Sequence, residues 1–243
     1  MTDPSRHIVA LSGGGFSGNP QSPLLDDYVL SIARTVRATA RPRVCFLPTA
    51  SGDDDGYVTS FYEAFATRAE ASHLRLFTRT AMPIDELLLG QDVIYVGGGN
   101  TANMLAIWRL HGVDQILLES WRRGIVMAGV SAGSMYWFEC GVTDSFGPGL
   151  AALHDGFGIL AGAYCPHCDG EERRRPTFHA LVAEGEPRGL PAGLAADDEA
   201  AIHFVGSEIA EIVTSRPDAR AYRVESIDGS TRETPLEARY LGA

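Results

Sequence analysis

Short apolar runs alternate with longer stretches of helical periodicity through the first half of the chain. Ile8–Leu11 reads as a buried strand that ends at Ser12-Gly13-Gly14-Gly15, where the backbone can turn tightly. From Asp26 to about Ala40, Tyr28, Val29, Ile32, Ala33 and Val36 recur at helical spacing. Arg43–Leu47 predicts a second strand stopped by Pro48, Tyr57 to Ala69 a helix, and His73–Phe77 a strand. Val93–Val96 leads into Gly97-Gly98-Gly99-Asn100, and Thr101 is the expected cap of a helix holding Met104, Leu105, Ile107 and Trp108. A further helix is expected over Val113 to Arg122, and a strand over Ile125–Ala128.

These strands lack polar alternation, as strands do in a parallel sheet covered on both faces. The expected fold is therefore α/β, a three-layer sandwich with a mostly parallel central sheet. Right-handed crossovers place the loops after successive strands at the carboxyl edge. That geometry gathers the glycine-bearing loops after Leu11, Val96 and Ala128 on one rim. Residues 141–195 are rich in Gly and Pro and read as long functional loops. Ala200–Val205, Ile209–Val213 and Tyr222–Ser226 read as strands, with a turn at Asp228-Gly229. With no repeat, low-complexity tract or linker, residues 1–243 are expected to form a single domain.

Composition narrows the function. Apolar residues at 45% and charged residues at 21% are an ordinary globular balance. A net charge of -11 gives no electrostatic reason to bind nucleic acid or anionic lipid. No secretory leader or membrane-spanning run is read in the sequence, so a cytoplasmic location is expected, with Cys45, Cys140, Cys165 and Cys168 as reduced thiols.

The sharpest local feature is Gly129-Val130-Ser131-Ala132-Gly133, placed between a strand and a segment, Ser134–Glu139, that reads as helical. This is the strand–turn–helix setting of a nucleophile elbow. It would hold the Ser131 hydroxyl toward the rim, with the Ala132 N–H aimed where an oxyanion forms and Gly98 or Gly99 supplying a second donor. A serine needs a base. Of the seven histidines, His167 in Tyr164-Cys165-Pro166-His167-Cys168-Asp169 is the first choice, since it sits in the irregular half where loops reach the rim.

Three segments carry a resemblance: Gly97-Gly98-Gly99-Asn100-Thr101; Gly129-Val130-Ser131-Ala132-Gly133 with Trp137-Phe138-Glu139; and Cys165-Pro166-His167-Cys168-Asp169-Gly170-Glu171. Over roughly residues 6–215 the chain resembles the peptidase family that contains dipeptidase E and, more distantly, cyanophycinase, nearest its less characterised branch. The resemblance implies a sandwich like that of class I glutamine amidotransferases. It also implies a serine nucleophile at Ser131, a histidine at His167, and an oxyanion hole from the Gly98 and Ala132 amides. It implies no metal or organic cofactor, and small peptides as substrates, some with an acidic N-terminal residue.

In the aspartyl dipeptidase an aspartate follows the nucleophile helix closely. Here Glu139, Asp144 and Asp169 compete for that place. Glu139 is preferred because it accompanies Trp137-Phe138, with Asp144 as the alternative. Glu139 stands about 12 Å along a helix from Ser131, so His167 would have to approach over that helix. Asn100, Arg173 and Arg174 are the expected substrate-binding side chains, a guanidinium suiting a substrate carboxylate. A terminal carboxylate as anchor would give carboxypeptidase-like cutting.

Other readings compete. Cys165-Pro166-His167-Cys168 has the spacing of a redox pair, and with His167 offers three zinc ligands. A silent ligand-binding protein could keep the scaffold, and an amidotransferase-like or other amide or ester hydrolase could use it. An exposed Trp137-Phe138 patch would favour a second copy of the chain as partner.

Overall fold

A computed structural model describes residues 5–80 and 82–242. The first half runs β1 (His7–Leu11), α1 (Gly15–Gly18), α2 (Leu24–Arg37), β2 (Arg43–Leu47), α3 (Asp55–Phe65), β3 (Glu70–His73), α4 (Ile84–Leu89), β4 (Val93–Val96), α5 (Thr101–His111), α6 (Val113–Arg122), β5 (Val126–Val130) and α7 (Ala132–Met135). The second half runs β6 (Phe138–Thr143), β7 (Ala151–Leu153), β8 (Leu160–Cys165), α8 (Arg174–Glu184), β9 (Gly193–Ala196), β10 (Ala200–Val205), β11 (Glu208–Thr214), β12 (Ala221–Ile227), β13 (Ser230–Leu236) and β14 (Arg239–Tyr240).

The central sheet has the order β14-β11-β10-β1-β5-β4-β2-β3. β1, β5, β4, β2 and β3 pair in parallel, while β10 joins β1 and β11 antiparallel. Alternate residues of the same strands feed two cores. Val9, Leu11, Val44, Phe46, Tyr95 and Ala128 face α2 and α3, against Leu25, Val29, Leu30, Phe61 and Phe65. Ile8, Ala10, Leu47, Ile94, Val96 and Met127 face the opposite layer, with Met104, Leu105, Trp108 and Leu117 of α5 and α6. Each large apolar side chain buried this way contributes about 1.5–3 kcal/mol. The expected three-layer α/β arrangement with a mostly parallel sheet is what forms.

The second half departs from the expectation of long loops. Residues 141–195 contribute to a second sheet, ordered β13-β12-β9-β8-β6-β7, and carry α8. Its strands β6, β8 and β9 each carry a glycine, and a Cβ on Gly141 would meet Tyr164 O at 2.6 Å. Glycine there reflects close packing of backbones, which in sequence looks like loop composition.

Several boundaries also differ. The helix expected over Ser134–Glu139 is the four-residue α7, because Phe138 already pairs with Leu160 in the second sheet. Trp137 and Phe138 are 0% and 1% exposed. They do not form a surface patch, and Phe138 stacks on Tyr164 at 4.7 Å. α5 is capped by Asn100, whose Oδ1 accepts from Asn103 N at 2.8 Å, rather than by Thr101. The strand expected over His73–Phe77 lies earlier, at β3, in register with β2.

Candidate active site

The turn after β5 has the strain of a nucleophile elbow. Ser131 adopts φ 56, ψ -115, a conformation that L-residues rarely hold. Glycine is required on both sides of it. A Cβ on Gly129 would fall on the carbonyl of Gly133, and one on Gly133 on the carbonyl of Val96. The turn is therefore pressed between its own return and the end of β4. Ala132 is the first residue of α7, so its N–H has no intrahelical acceptor.

His167 reaches the same rim from the loop after β8. Its backbone is also at positive φ, 56. Ser12, at the end of β1, fixes it: Ser12 Oγ accepts from His167 N at 2.6 Å and donates to Ala196 O at 2.8 Å. The imidazole Nδ1 lies 2.5 Å from Asp198 Oδ1. That contact assigns the proton to Nδ1 and leaves Nε2 as the basic nitrogen. The hydrogen bond from His167, opposed by burial, holds the Asp198 carboxyl below the usual carboxylate range. Gly13 passes beneath this pair so closely that a Cβ would land on the Asp198 carboxylate.

Ser131, His167 and Asp198 line one cleft of about 290 Å³, together with Gly13, Gly98, Tyr57 and Glu199. No hydrogen bond between the Ser131 hydroxyl and the imidazole closes among the described residues, as is common before a substrate aligns the groups. A more open depression of about 440 Å³ lies at the amino ends of β2 and β4, where Arg37 and Arg43 pair with Asp92.

The carboxylate beside His167 is Asp198, not the expected Glu139 or Asp144. Glu139 is exposed on β6, and its Oε2 accepts from Gly162 N at 2.7 Å. Asp144 is exposed and lies 4.0 Å from Arg174. Neither reaches His167, because the chain after α7 turns into the second sheet. Asp169 instead supports the pair from behind, accepting from Asp198 N at 2.7 Å and from the Arg216 guanidinium. Asp198 was concealed in the run Asp197-Asp198-Glu199 between β9 and β10. Only the end of β9 beside β8 brings it to the imidazole.

The other expected site residues divide similarly. Gly98 packs beside Ser131: a Cβ there would stand 3.8 Å from Ser131 Oγ. Its N–H, however, donates to Tyr57 Oη at 3.2 Å. Tyr57 went unnoticed in the sequence, where it reads only as a helix residue. Burial pushes its phenol above the ordinary value, so it stays protonated. Gly99 is pressed against Ala50 of a neighbouring turn and does not line the cleft. Asn100 is occupied as the α5 cap, with Nδ2 donating to Ser145 O at 3.1 Å. Arg174 is buried, donating to Val142 O at 2.9 Å and pairing with Glu171 at 2.7 Å. Arg173 is exposed and precedes α8, and it does not line the cleft either.

The cysteines do not converge with His167. Arg175 Nε donates to Cys168 Sγ at 3.1 Å, and Cys165 is buried against Pro166 O. Burial raises both thiols, Cys168 to about 11 and Cys165 further. Among the described residues no group of three or more His, Cys, Asp or Glu side chains is arranged to hold a metal ion. No helix is long and apolar enough to cross a membrane.

Comparison with known proteins adds the context for this geometry. The model of peptidase family S51 matches residues 8–212. The uncharacterized peptidase YgaJ of Bacillus subtilis (strain 168) is 46% identical over 238 residues, which cover 98% of this chain and 100% of the relative. Two crystal structures share the fold. A peptidase from an acI-B1 actinobacterium has a TM-score of 0.72 at 17% identity, covering 97% of this chain and 96% of that one. A candidate peptidase E protein from Listeria monocytogenes EGD-e has a TM-score of 0.59 at 18% identity, covering 96% of this chain and 100% of that one.

Proposed function

The chain belongs to peptidase family S51, and from that premise we propose that it is a serine peptidase that hydrolyses small peptides through an acyl-enzyme on Ser131. The observation that carries this reading is the shared cleft. A strained serine, an imidazole whose Nδ1 is taken by a carboxylate at 2.5 Å, and the Tyr57 hydroxyl all line one cleft. At about 290 Å³ it suits a dipeptide or tripeptide better than a folded chain.

In the proposed reaction, Nε2 of His167 takes the Ser131 proton as the oxygen attacks the peptide carbonyl carbon. Asp198 accepts a hydrogen bond from Nδ1–H, fixes the tautomer and stabilises the imidazolium that forms. The carbonyl oxygen becomes negative and meets the Ala132 N–H and the Tyr57 hydroxyl. The phenol oxygen already accepts from Gly98 N–H, and Tyr57 lines the cleft, which leaves its own proton for an acceptor there. Each such donor typically contributes about 3 kcal/mol to the transition state. The imidazolium then protonates the departing amine. Water attacks the ester by the same steps in reverse order and restores the serine.

A fluorophosphonate probe tests the nucleophile. Labelling of Ser131 that is lost on His167→Ala supports the reading; an unlabelled Ser131 in the folded wild-type protein overturns it. A library of dipeptides and tripeptides with free and blocked termini then separates dipeptidase from carboxypeptidase-like cutting. Turnover of esters or simple amides without any peptide turnover would instead favour a different hydrolase.

A further inference from the structure

The charge of the cleft is one-sided. Among the described residues, no arginine or lysine lines it, while Asp198 and Glu199 both do. Of the arginines expected to hold a substrate carboxylate, Arg174 is engaged elsewhere and Arg173 does not line the cleft. Arg216, behind the imidazole–carboxylate pair, gives its guanidinium to Asp169, Asp218 and the Asp198 carbonyl.

Asp198 is engaged by His167, which leaves Glu199 as the carboxylate open to a ligand. Glu199 is held firmly. Its backbone sits at φ 66, and Ser215 N donates to its carbonyl at 2.9 Å. Its side chain packs on Gly14, a Cβ there meeting Glu199 Cγ at 3.1 Å. Asn19 Nδ2 and Ser215 Oγ both donate to one oxygen, Oε2, at 3.4 and 3.0 Å. The two donors fix the carboxylate plane and leave the edge at Oε1 to a partner.

We propose that Glu199 is a specificity residue of this cleft, and that it selects substrates carrying a cationic group next to the scissile bond. This rests on the hydrolase reading for its biological meaning, but the binding it describes does not require turnover. A fixed carboxylate in a half-enclosed cleft recognises an ammonium or guanidinium by a charge-assisted hydrogen bond. The same negative field disfavours a substrate carboxylate, so aspartyl peptides are poor ligands. The cation is either the free α-ammonium of the peptide or a basic side chain.

The test uses the full-length Ser131→Ala protein, which cannot turn substrate over, and calorimetric titration with four probes. These are alanyl-phenylalanine, its N-acetyl form, N-acetyl-arginyl-phenylalanine and aspartyl-phenylalanine. The expected result is about tenfold or tighter binding of at least one cationic probe than of N-acetyl-alanyl-phenylalanine. Adding Glu199→Gln, which keeps an acceptor for Asn19 and Ser215, collapses that ratio toward one, and Glu199→Asp restores part of it. Tight binding of the free amine identifies the α-ammonium as the ligand; tight binding of the acetylated arginyl peptide identifies the side chain. The proposal is overturned by equal binding of cationic and neutral probes, by preference for the aspartyl peptide, by a ratio that survives Glu199→Gln, or by no measurable binding of any cationic probe. Failure of the hydrolase reading is seen separately, as absent fluorophosphonate labelling of the wild-type serine.

Discussion

His167 Nδ1 and Asp198 Oδ1 lie 2.5 Å apart, although 31 residues separate them in the chain and they stand on loops following different strands of the second sheet. The contact is possible because β8 and β9 are parallel neighbours, so both chains leave the sheet toward the same rim. Glycine at position 13 then leaves room beneath the pair.

If Asp198 orients the base, Asp198→Asn lowers kcat/KM by about 10²- to 10⁴-fold with little change in KM, since the amide stabilises the wrong tautomer. Glu139→Gln, whose side chain accepts from Gly162 N away from the cleft, changes it by less than about threefold. The rate of fluorophosphonate labelling and the hydrolysis of a common dipeptide, with Tm as a control for folding, measure both. A larger loss in Glu139→Gln than in Asp198→Asn would return the role to Glu139.

Tyr57→Phe removes the hydroxyl that accepts from Gly98 N–H. The expected outcome is a fall in kcat of about 10²-fold at nearly constant KM, the loss of one oxyanion donor. Unchanged or faster turnover would mean instead that the phenol merely covers the Gly98 amide in the resting protein.

Stability is expected to fall on mild acidification through His203. Its ring is bonded to His7 at 2.9 Å and to Tyr28 at 2.8 Å, and burial lowers its pKa from 6.5 to about 4. The unfolded chain therefore binds the extra proton between these values. Stability is complete above pH 6.5 and declines as pH falls toward 4, by on the order of 2 kcal/mol after allowance for partial solvent screening. Denaturant unfolding at stepped pH measures the slope. His203→Gln should flatten it, and an unchanged slope would assign the effect elsewhere.

Asp26 acts with the opposite sign. It is buried under the glycine turn after β1 and accepts from Tyr95 Oη at 3.2 Å. Burial raises its pKa from 3.8 to about 7. The unfolded carboxyl ionises first, so the stability present below pH 3.8 is lost as pH rises through about 7. Asp26→Asn should therefore gain on wild type as pH increases, by up to about 3–4 kcal/mol at pH 8 and very little near pH 4. Equal Tm differences at both pH values would disprove the ionisation.

The hydrophobic pattern by itself determined the parallel half of the fold. β2, β4 and α6 fall where the apolar runs place them, because fully buried strands and amphipathic helices leave a periodicity that no partner is needed to read. The tight turn at Ser131 was equally legible as a local strand–turn–helix segment flanked by Gly129 and Gly133. Only the tertiary structure decided the second sheet, where glycines that allow backbones to touch look like loop residues. It alone put Asp198 rather than Glu139 beside His167, Tyr57 on the Gly98 amide and Glu199 at the cleft wall. Those roles depend on which loops a pair of parallel strands delivers to one rim, and a carboxylate or phenol carries no local signature of the neighbour it will meet.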